Sequence, residues 1–257
     1  IMDNPKIIKF DNFPFFMGLL DHHSLYDKYE LPNYIPISIS YNSQSNIIEQ
    51  DYSVEIESYL EKSYKLGSNI SSNLGAGTFG ERRANDVLKT ILVAMNNDIT
   101  DKSILEIGCA DGFILNQLSL LGAKNLIGCE PNPNYINNSF LSKNINIIND
   151  FYTPSVVNQK FDLIISLGVL EHIYNPSKFI ESQLQSLKSN GLIFFSVPNC
   201  ENKFRLGDIK LIQHEHWNYF TRNSIKHLLQ NNGLTDIQLE ISQNNANIFV
   251  WGRYSEF

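Results

Sequence analysis

The chain has 257 residues, 42% hydrophobic and 18% charged, enough for one large core or for one core with a small appended region. A formal net charge of −7 with no local Lys/Arg cluster argues against a surface built for nucleic-acid phosphates. No apolar run reaches the roughly 18 residues of a membrane span and the start lacks a basic-then-apolar leader pattern, so a cytoplasmic protein with no membrane partner is expected.

The elements follow in chain order. Lys6 to Leu20 is aromatic and apolar. Tyr34 to Gln50 alternates as I-P-I-S-I-S-Y, breaks at Asn42 to Asn46 and resumes as I-I-E-Q, which predicts a hairpin with a polar turn. Ser53 to Leu66 carries Val54, Ile56, Tyr59, Leu60 and Tyr64 at helical spacing and is closed by Gly67. Asn69 to Gly80 is a Ser/Asn/Gly linker, either a plain connector or a lid, with Gly75, Gly77 and Gly80 allowing close approach to a ligand. Residues 1–80 therefore read as a small N-terminal α+β region with a lid linker, and 81–257 as the main domain. Arg82 to Met95 opens the latter as a helix with one apolar stripe.

From Ser103 onward apolar runs alternate with helical segments, which predicts a parallel sheet covered by helices on both faces. The strands fall near 103–107, 125–129, 145–148, 161–167, 191–197, 237–242 and 247–252. The last two are joined only by Gln243 to Ala246, so they form an antiparallel hairpin. The fold class is α/β: a Rossmann-like, seven-stranded, mostly parallel sheet with a C-terminal antiparallel hairpin.

Ser103 to Phe113, S-I-L-E-I-G-C-A-D-G-F, joins a buried strand to a glycine turn and a helix start. Gly108 and Gly112 suit a turn that a ligand crosses closely. About twenty residues on, Glu130 ends the next strand, where a carboxylate accepts both hydroxyls of a ribose. A dinucleotide fingerprint wants G-x-G-x-x-G, but this turn has Ala110 at the second glycine and Asp111 inside the loop, so a diphosphate is disfavoured. Glu106 and Asp111 instead suit a ligand with a ribose and a cationic end, a description S-adenosylmethionine meets.

The runs L-E-I-G-C-A-D-G, I-G-C-E-P, N-D-F, F-D-L-I-I-S-L-G-V-L-E-H-I and G-L-I-F-F-S-V-P-N resemble the ordered motifs of class I S-adenosylmethionine-dependent methyltransferases. Q-H-E-H-W-N-Y-F-T at Gln213 to Thr221 is similar to the H-E-H-x-x-Y-F-S/T segment of sugar methyltransferases, including C-methyltransferases of nucleotide-linked ketosugars. The resemblance implies that Glu106, Gly108 and Gly112 face the methionine part of the cofactor, Glu130 the ribose, Asp150 and Phe151 the adenine, and that Leu167 passes beneath it. Asp150 in Asn149-Asp150 is equally an ordinary turn cap.

For the acceptor the resemblance implies His216 as base, Glu215 as orienting or polarising group and His214 as substrate contact, with the rate falling through the imidazole pKa. In an extended segment His214 and His216 share one side and could ligate a metal; a third reading makes them packing for Trp217 and the helix capped by Thr221. His172 is expected to be structural. No metal is expected, since Cys109, Cys129 and Cys200 lack C-x-x-C spacing and the zinc-site cysteines of the sugar C-methyltransferases have no counterpart near Tyr41 to Gln50. The expected activity is methyl transfer to a small polar molecule, a nucleotide-linked sugar or other cell-surface polysaccharide precursor, at oxygen or carbon. A nicotinamide oxidoreductase and a non-catalytic binding module are the alternatives.

Overall fold

The structure is a computed structural model that describes residues 6–15, 30–65, 79–132 and 141–255. Seven strands form one sheet in the order β10-β11-β8-β7-β4-β5-β6. They are β4 (Ile104–Ile107), β5 (Leu126–Cys129), β6 (Ile145–Ile148), β7 (Phe161–Leu167), β8 (Leu187–Pro198), β10 (Leu234–Ile241) and β11 (Asn247–Tyr254). Strands β4 to β8 are parallel, while β11 runs antiparallel between β8 and β10. This is the sheet the sequence predicts, hairpin included.

Both faces are buried because successive residues point to opposite sides. Ile104, Leu163, Leu192 and Phe194 face α2 (Phe79–Ala94) and α3 (Phe113–Leu120). Leu105, Ile164, Ile193 and Phe195 belong to the other core, with α5 (Pro176–Gln185) and α7 (Arg222–Asn231). Thr221 caps α7 in a reciprocal box with Ser224, and Phe220 and Ile225 lie in one cluster, as a hydrophobic staple requires.

A second sheet has the order β1-β2-β3-β9. Strand β1 (Lys6–Pro14) pairs with β2 (Tyr34–Asn42), which turns into β3 (Ile47–Gln50) as the hairpin pattern predicts. The last strand, β9 (Asn218–Tyr219), comes from the H-E-H segment and pairs with Ile48 and Glu49. A boundary at residue 80 thus does not separate the hydrogen-bonded sheets. Ile35, Ile37, Ile39 and Ile47 are buried, so aliphatic packing holds the hairpin. Helix α1 (Val54–Lys65) buries Ile56 and Leu60 against Trp217, while Val54 is exposed at its start. Of the expected linker, residues 69–78 lie outside the described residues, as does Gly67.

The remaining helices are short. Helix α4 (Pro154–Val157) follows β6, and α6 (Cys200–Arg205) follows β8 with Asn199 as its cap.

Candidate active site

The glycine turn joins β4 to α3. Gly108 has φ 72° and Gly112 φ 74°, and a Cβ on Gly108 would lie 2.6 Å from Val169 Cγ2. The turn therefore touches the loop after β7. Glu106, at the end of β4, is buried and its Oε2 has no hydrogen-bond partner among the described residues. Burial and the neighbouring Asp111 charge hold its carboxyl well above the usual range, with the Leu115 backbone acting in the opposite direction. A desolvated carboxylate with one unpartnered oxygen is favoured in its charged form by a cation placed beside it.

Glu130, one residue past β5, sits opposite this turn. Its Oε2 accepts from the Ala110 N–H at 2.9 Å and its Oε1 from the Asn132 N–H at 2.9 Å. Burial raises its pKa and these two N–H groups oppose the rise. Each carboxylate oxygen offers two lone pairs, so both retain capacity for a ribose hydroxyl. Asn149 Nδ2 donates to the Glu130 carbonyl at 2.8 Å, which ties the end of β6 to the end of β5. Asp150 Oδ1 accepts the Phe151 N–H at 2.8 Å, the turn-cap role, and the Phe151 ring stands 45% exposed. Leu167 ends β7, and the Gly168 N–H donates to the Ser196 carbonyl at 2.9 Å. The cofactor positions implied by the resemblance thus lie at the carboxyl ends of β4, β5, β6 and β7, where an open α/β sheet takes its ligand.

The acceptor residues divide. The segment from His214 to His216 turns instead of extending, so the two histidines point apart. His214 is buried between the rings of Phe13 and Phe15, at 5.7 and 5.4 Å, and its Nε2 donates to the Ile35 carbonyl at 3.3 Å. It belongs to the seam with the small sheet, and His214 and His216 do not form a shared metal face.

His216 meets His172 instead, with ring centroids 5.0 Å apart. His216 Nδ1 is 3.0 Å from the Leu211 carbonyl, and His172 Nδ1 is 2.9 Å from the Glu215 carbonyl. A carbonyl only accepts, so each imidazole carries its proton on Nδ1 and presents Nε2 as an acceptor. Glu171 Oε1 lies 4.0 Å from His172 Nε2, and one donor atom each from Glu171, His172 and His216 falls within 4.8 Å of the others. The Glu171 carbonyl accepts the Trp217 N–H at 2.8 Å, which fixes the two loops together.

Burial governs the protonation of this cluster. It pushes His172 down to about 4 and His216 to about 3, the latter aided by the His172 charge. It raises Glu171 to about 7, with Arg83 acting against the rise, and Glu215 to about 8, with Glu171 adding to it. Arg83 Nη2 and Glu171 Oε1 each lie 3.7 Å from the point a Cβ on Gly168 would occupy, so α2 brings a cation to this edge. Sequence reasoning missed Arg83 and Glu171 and set His172 apart as structural. The signal was L-E-H directly after a buried strand, a carboxylate and an imidazole at a sheet's ligand-binding edge.

These shifts predict a shape for stability against pH. The imidazoles are depressed from 6.5, so the native state holds fewer protons than the unfolded chain between about 4 and 6.5, and stability is lost on acidification through that window. The carboxyls are raised from 4.5, so the native state holds more protons up to about 8, and stability is lost as pH rises through that range. Each group tilts the curve by about 1.4 kcal/mol per pH unit, so the terms oppose between 4.5 and 6.5 and the carboxyls act alone above it. The urea midpoint is expected to fall from pH 6.5 to 8 and to fall less steeply in Glu171→Gln/Glu215→Gln. A wild-type midpoint that climbs over that range would contradict the neutral-carboxyl assignment.

A seven-stranded sheet with this order, a glycine turn after β4 and an acid at the end of β5 form the arrangement of the class I S-adenosylmethionine-dependent methyltransferases. A family model described as methyltransferase domain matches residues 79–239, more than half of the chain, and the chain belongs to that family. It is similar to the mitochondrial ubiquinone biosynthesis O-methyltransferase of Dictyostelium discoideum, 31% identical over 114 residues, or 38% of this chain and 35% of the relative. The tRNA U34 carboxymethyltransferase of Campylobacter hominis is 32% identical over 123 residues, 46% of this chain and 43% of that one. The chain thus spans less than half the length of these two relatives. Among solved structures, the N-methyltransferase NodS of Bradyrhizobium japonicum with S-adenosyl-L-homocysteine shares the fold at a TM-score of 0.54 and 20% identity, over 76% of this chain and 98% of that one. Among the described residues no helix is long and apolar enough to cross a membrane.

Proposed function

We propose that this chain transfers the methyl group of S-adenosylmethionine to a small polar acceptor, a nucleotide-linked sugar or related polysaccharide precursor, at the carboxyl edge of the seven-stranded sheet. The observation that carries this reading is the pairing of His216 and His172, both neutral and each with its Nδ1 proton tied to a backbone carbonyl, beside two buried carboxyls and next to the loop whose Val169 packs on the glycine turn. The cofactor supplies an electrophilic methyl group. Glu130 accepts the ribose hydroxyls, Glu106 and the Gly108–Gly112 turn receive the methionine end, and Asp150, Phe151 and Leu167 border the base.

His216 Nε2 takes the proton of the acceptor; burial keeps the ring neutral at pH 7 but also makes it a weak base, so the transfer relies on alignment of the acceptor with the electrophilic methyl group. Glu215, at about 8, is protonated at pH 7 and can donate a hydrogen bond to an acceptor oxygen, as a neutral carboxyl in a dry site does. His214 takes no part in the transfer; it anchors the loop to the small sheet. A hydroxyl acceptor needs only this alignment and base, and the O-methyltransferase name of the Dictyostelium relative favours it. A tRNA acceptor, as in the name of the Campylobacter relative, is opposed by the net charge of −7.

Calorimetry with S-adenosylhomocysteine and with NAD, followed by turnover with labelled methyl donor and a panel of sugar nucleotides, tests the proposal. The expected result is binding of the first ligand alone and label in a sugar nucleotide. Binding of NAD without S-adenosylhomocysteine would defeat it, as would tight cofactor binding with no label in any member of the panel. One transition metal per purified chain by elemental analysis would recast His172 and His216 as ligands.

A further inference from the structure

Beyond the cofactor and proton-transfer residues, the same edge of the sheet carries a pocket of about 260 Å³, with Ile241 as its one apolar side chain, that none of the chemistry above uses. Asn199, Glu201, Asn202, Arg205, Arg222 and Asn245 line it. Asn199 follows β8, and Asn245 lies in the turn that leads into β11, where Asn247 pairs with Pro198. Arg205 closes α6 and Arg222 opens α7.

The chemistry of the lining is that of an anion site. Two guanidinium groups face a pocket with one carboxylate, in a chain whose overall charge is −7. Arg222 Nε donates to Glu201 Oε2 at 3.0 Å, and Arg205 Nη2 to Asn202 Oδ1 at 3.1 Å. These bonds hold each side chain while leaving most of its five N–H donors for a ligand, and forked donors match phosphate oxygens. Asn199 Nδ2 donates to Asn245 Oδ1 at 2.9 Å, which fixes the far wall.

Its position relates it to the methyl-transfer site. The glycine turn stands on β4, the His172 loop follows β7, and the pocket lies over β8 and β11, so the three stations occupy successive strands of one edge. Neighbouring strands are about 4.8 Å apart, which puts β8 roughly 10 Å and β11 roughly 14 Å from β4. The Gly168 N–H bond to the Ser196 carbonyl places the catalytic loop alongside β8 only three residues before Asn199.

We propose that this pocket binds the diphosphate of a nucleoside diphosphate acceptor, with Arg205 and Arg222 as its ligands, so that the attached sugar reaches back along the sheet edge to His216. This assignment rests on the sugar-nucleotide reading of the function and adds the group by which the acceptor is held. Glu201 is the one unfavourable charge in the pocket, and it gives the proposal a test of sign.

The experiment is calorimetry of the whole chain with dTDP, UDP and inorganic pyrophosphate, alongside S-adenosylhomocysteine. Wild type is expected to bind a nucleoside diphosphate, more weakly as salt is raised. Arg205→Ala/Arg222→Ala is expected to lose at least tenfold in that affinity, and Glu201→Gln to gain severalfold, with S-adenosylhomocysteine affinity and melting temperature unchanged in both. Equal affinity in wild type and the double variant, a loss in Glu201→Gln, or no binding of dTDP or UDP by a wild type that holds S-adenosylhomocysteine would each overturn the assignment. Sugar-nucleotide turnover separates this from failure of the wider reading. Turnover with an unchanged KM in the double variant sinks the pocket alone, whereas arginine-dependent diphosphate binding without turnover sinks the sugar-methyltransferase reading and keeps the pocket.

Discussion

Glu130→Ala should reduce S-adenosylhomocysteine affinity by about 30- to 150-fold, the equivalent of roughly 2 to 3 kcal/mol for a charged acceptor that serves two hydroxyls. The structure adds a second reason to the one the sequence supplies. Glu130 also holds the N–H groups of Ala110 and Asn132, so its carboxylate shapes the glycine turn proposed to receive the cofactor. Glu130→Gln separates the two effects, since the amide oxygen can keep one of those N–H bonds but cannot serve as a doubly accepting anion. Both variants should keep β5 intact, because Leu126, Ile127 and Cys129 are buried independently of the side chain. Titration calorimetry with a parallel thermal melt reads the outcome. An affinity within twofold of wild type would remove Glu130 from the cofactor site.

His216→Asn should lower turnover by about 100- to 10,000-fold and leave S-adenosylhomocysteine affinity alone, as loss of a general base does. The pH profile differs from the one an ordinary imidazole would give. Burial holds His216 near 3, so kcat/KM of the wild type should not decline around pH 6.5 and its acid limb should lie well below that value. His172→Asn should be the milder variant in rate and the worse in stability, because His172 Nδ1 holds the Glu215 carbonyl and its ring packs on His216. Near-full turnover in His216→Asn would pass the role of proton acceptor to another member of the cluster, with Glu171, at about 7 the more ionised of the two carboxyls, first in line.

The main sheet was legible because its strands are buried on both faces and leave short, nearly unbroken apolar runs between turn residues; Ile104–Ile107 and Leu126–Cys129 are buried at every position. The same holds for the glycine turn, whose backbone needs positive φ at Gly108 and Gly112. What sequence could not supply was the partner half of the proposed acceptor site, which is assembled from two loops more than forty residues apart in the chain. Glu171 and His172 meet Glu215 and His216 only because the Trp217 N–H bonds to the Glu171 carbonyl and the His172 ring to the Glu215 carbonyl. Nor does alternation in H-E-H announce a turn: the spacing of His214 and His216 fits a shared face in a strand, and the backbone there is bent. Strand β9 was missed for a related reason, since two residues carry no periodicity and their pairing depends wholly on β3.

That two-residue strand ties the fate of the H-E-H loop to the small sheet. Glu49 pairs with Asn218, Gln50 N–H donates to the Trp217 carbonyl, and Gln50 Nε2 donates to the His214 carbonyl at 3.0 Å. The loop that carries His216 is thus stitched along one flank to β3 and clasped at His214 by Phe13 and Phe15. A splint of this kind makes the N-terminal hairpin a lever on the position of His216: a slip of one position in the β3–β9 register would drag Asn218 by about 3.3 Å and shift His216 with it. For anyone recombining domains of such enzymes, the smallest exchangeable unit is the hairpin together with the H-E-H loop, never either half alone.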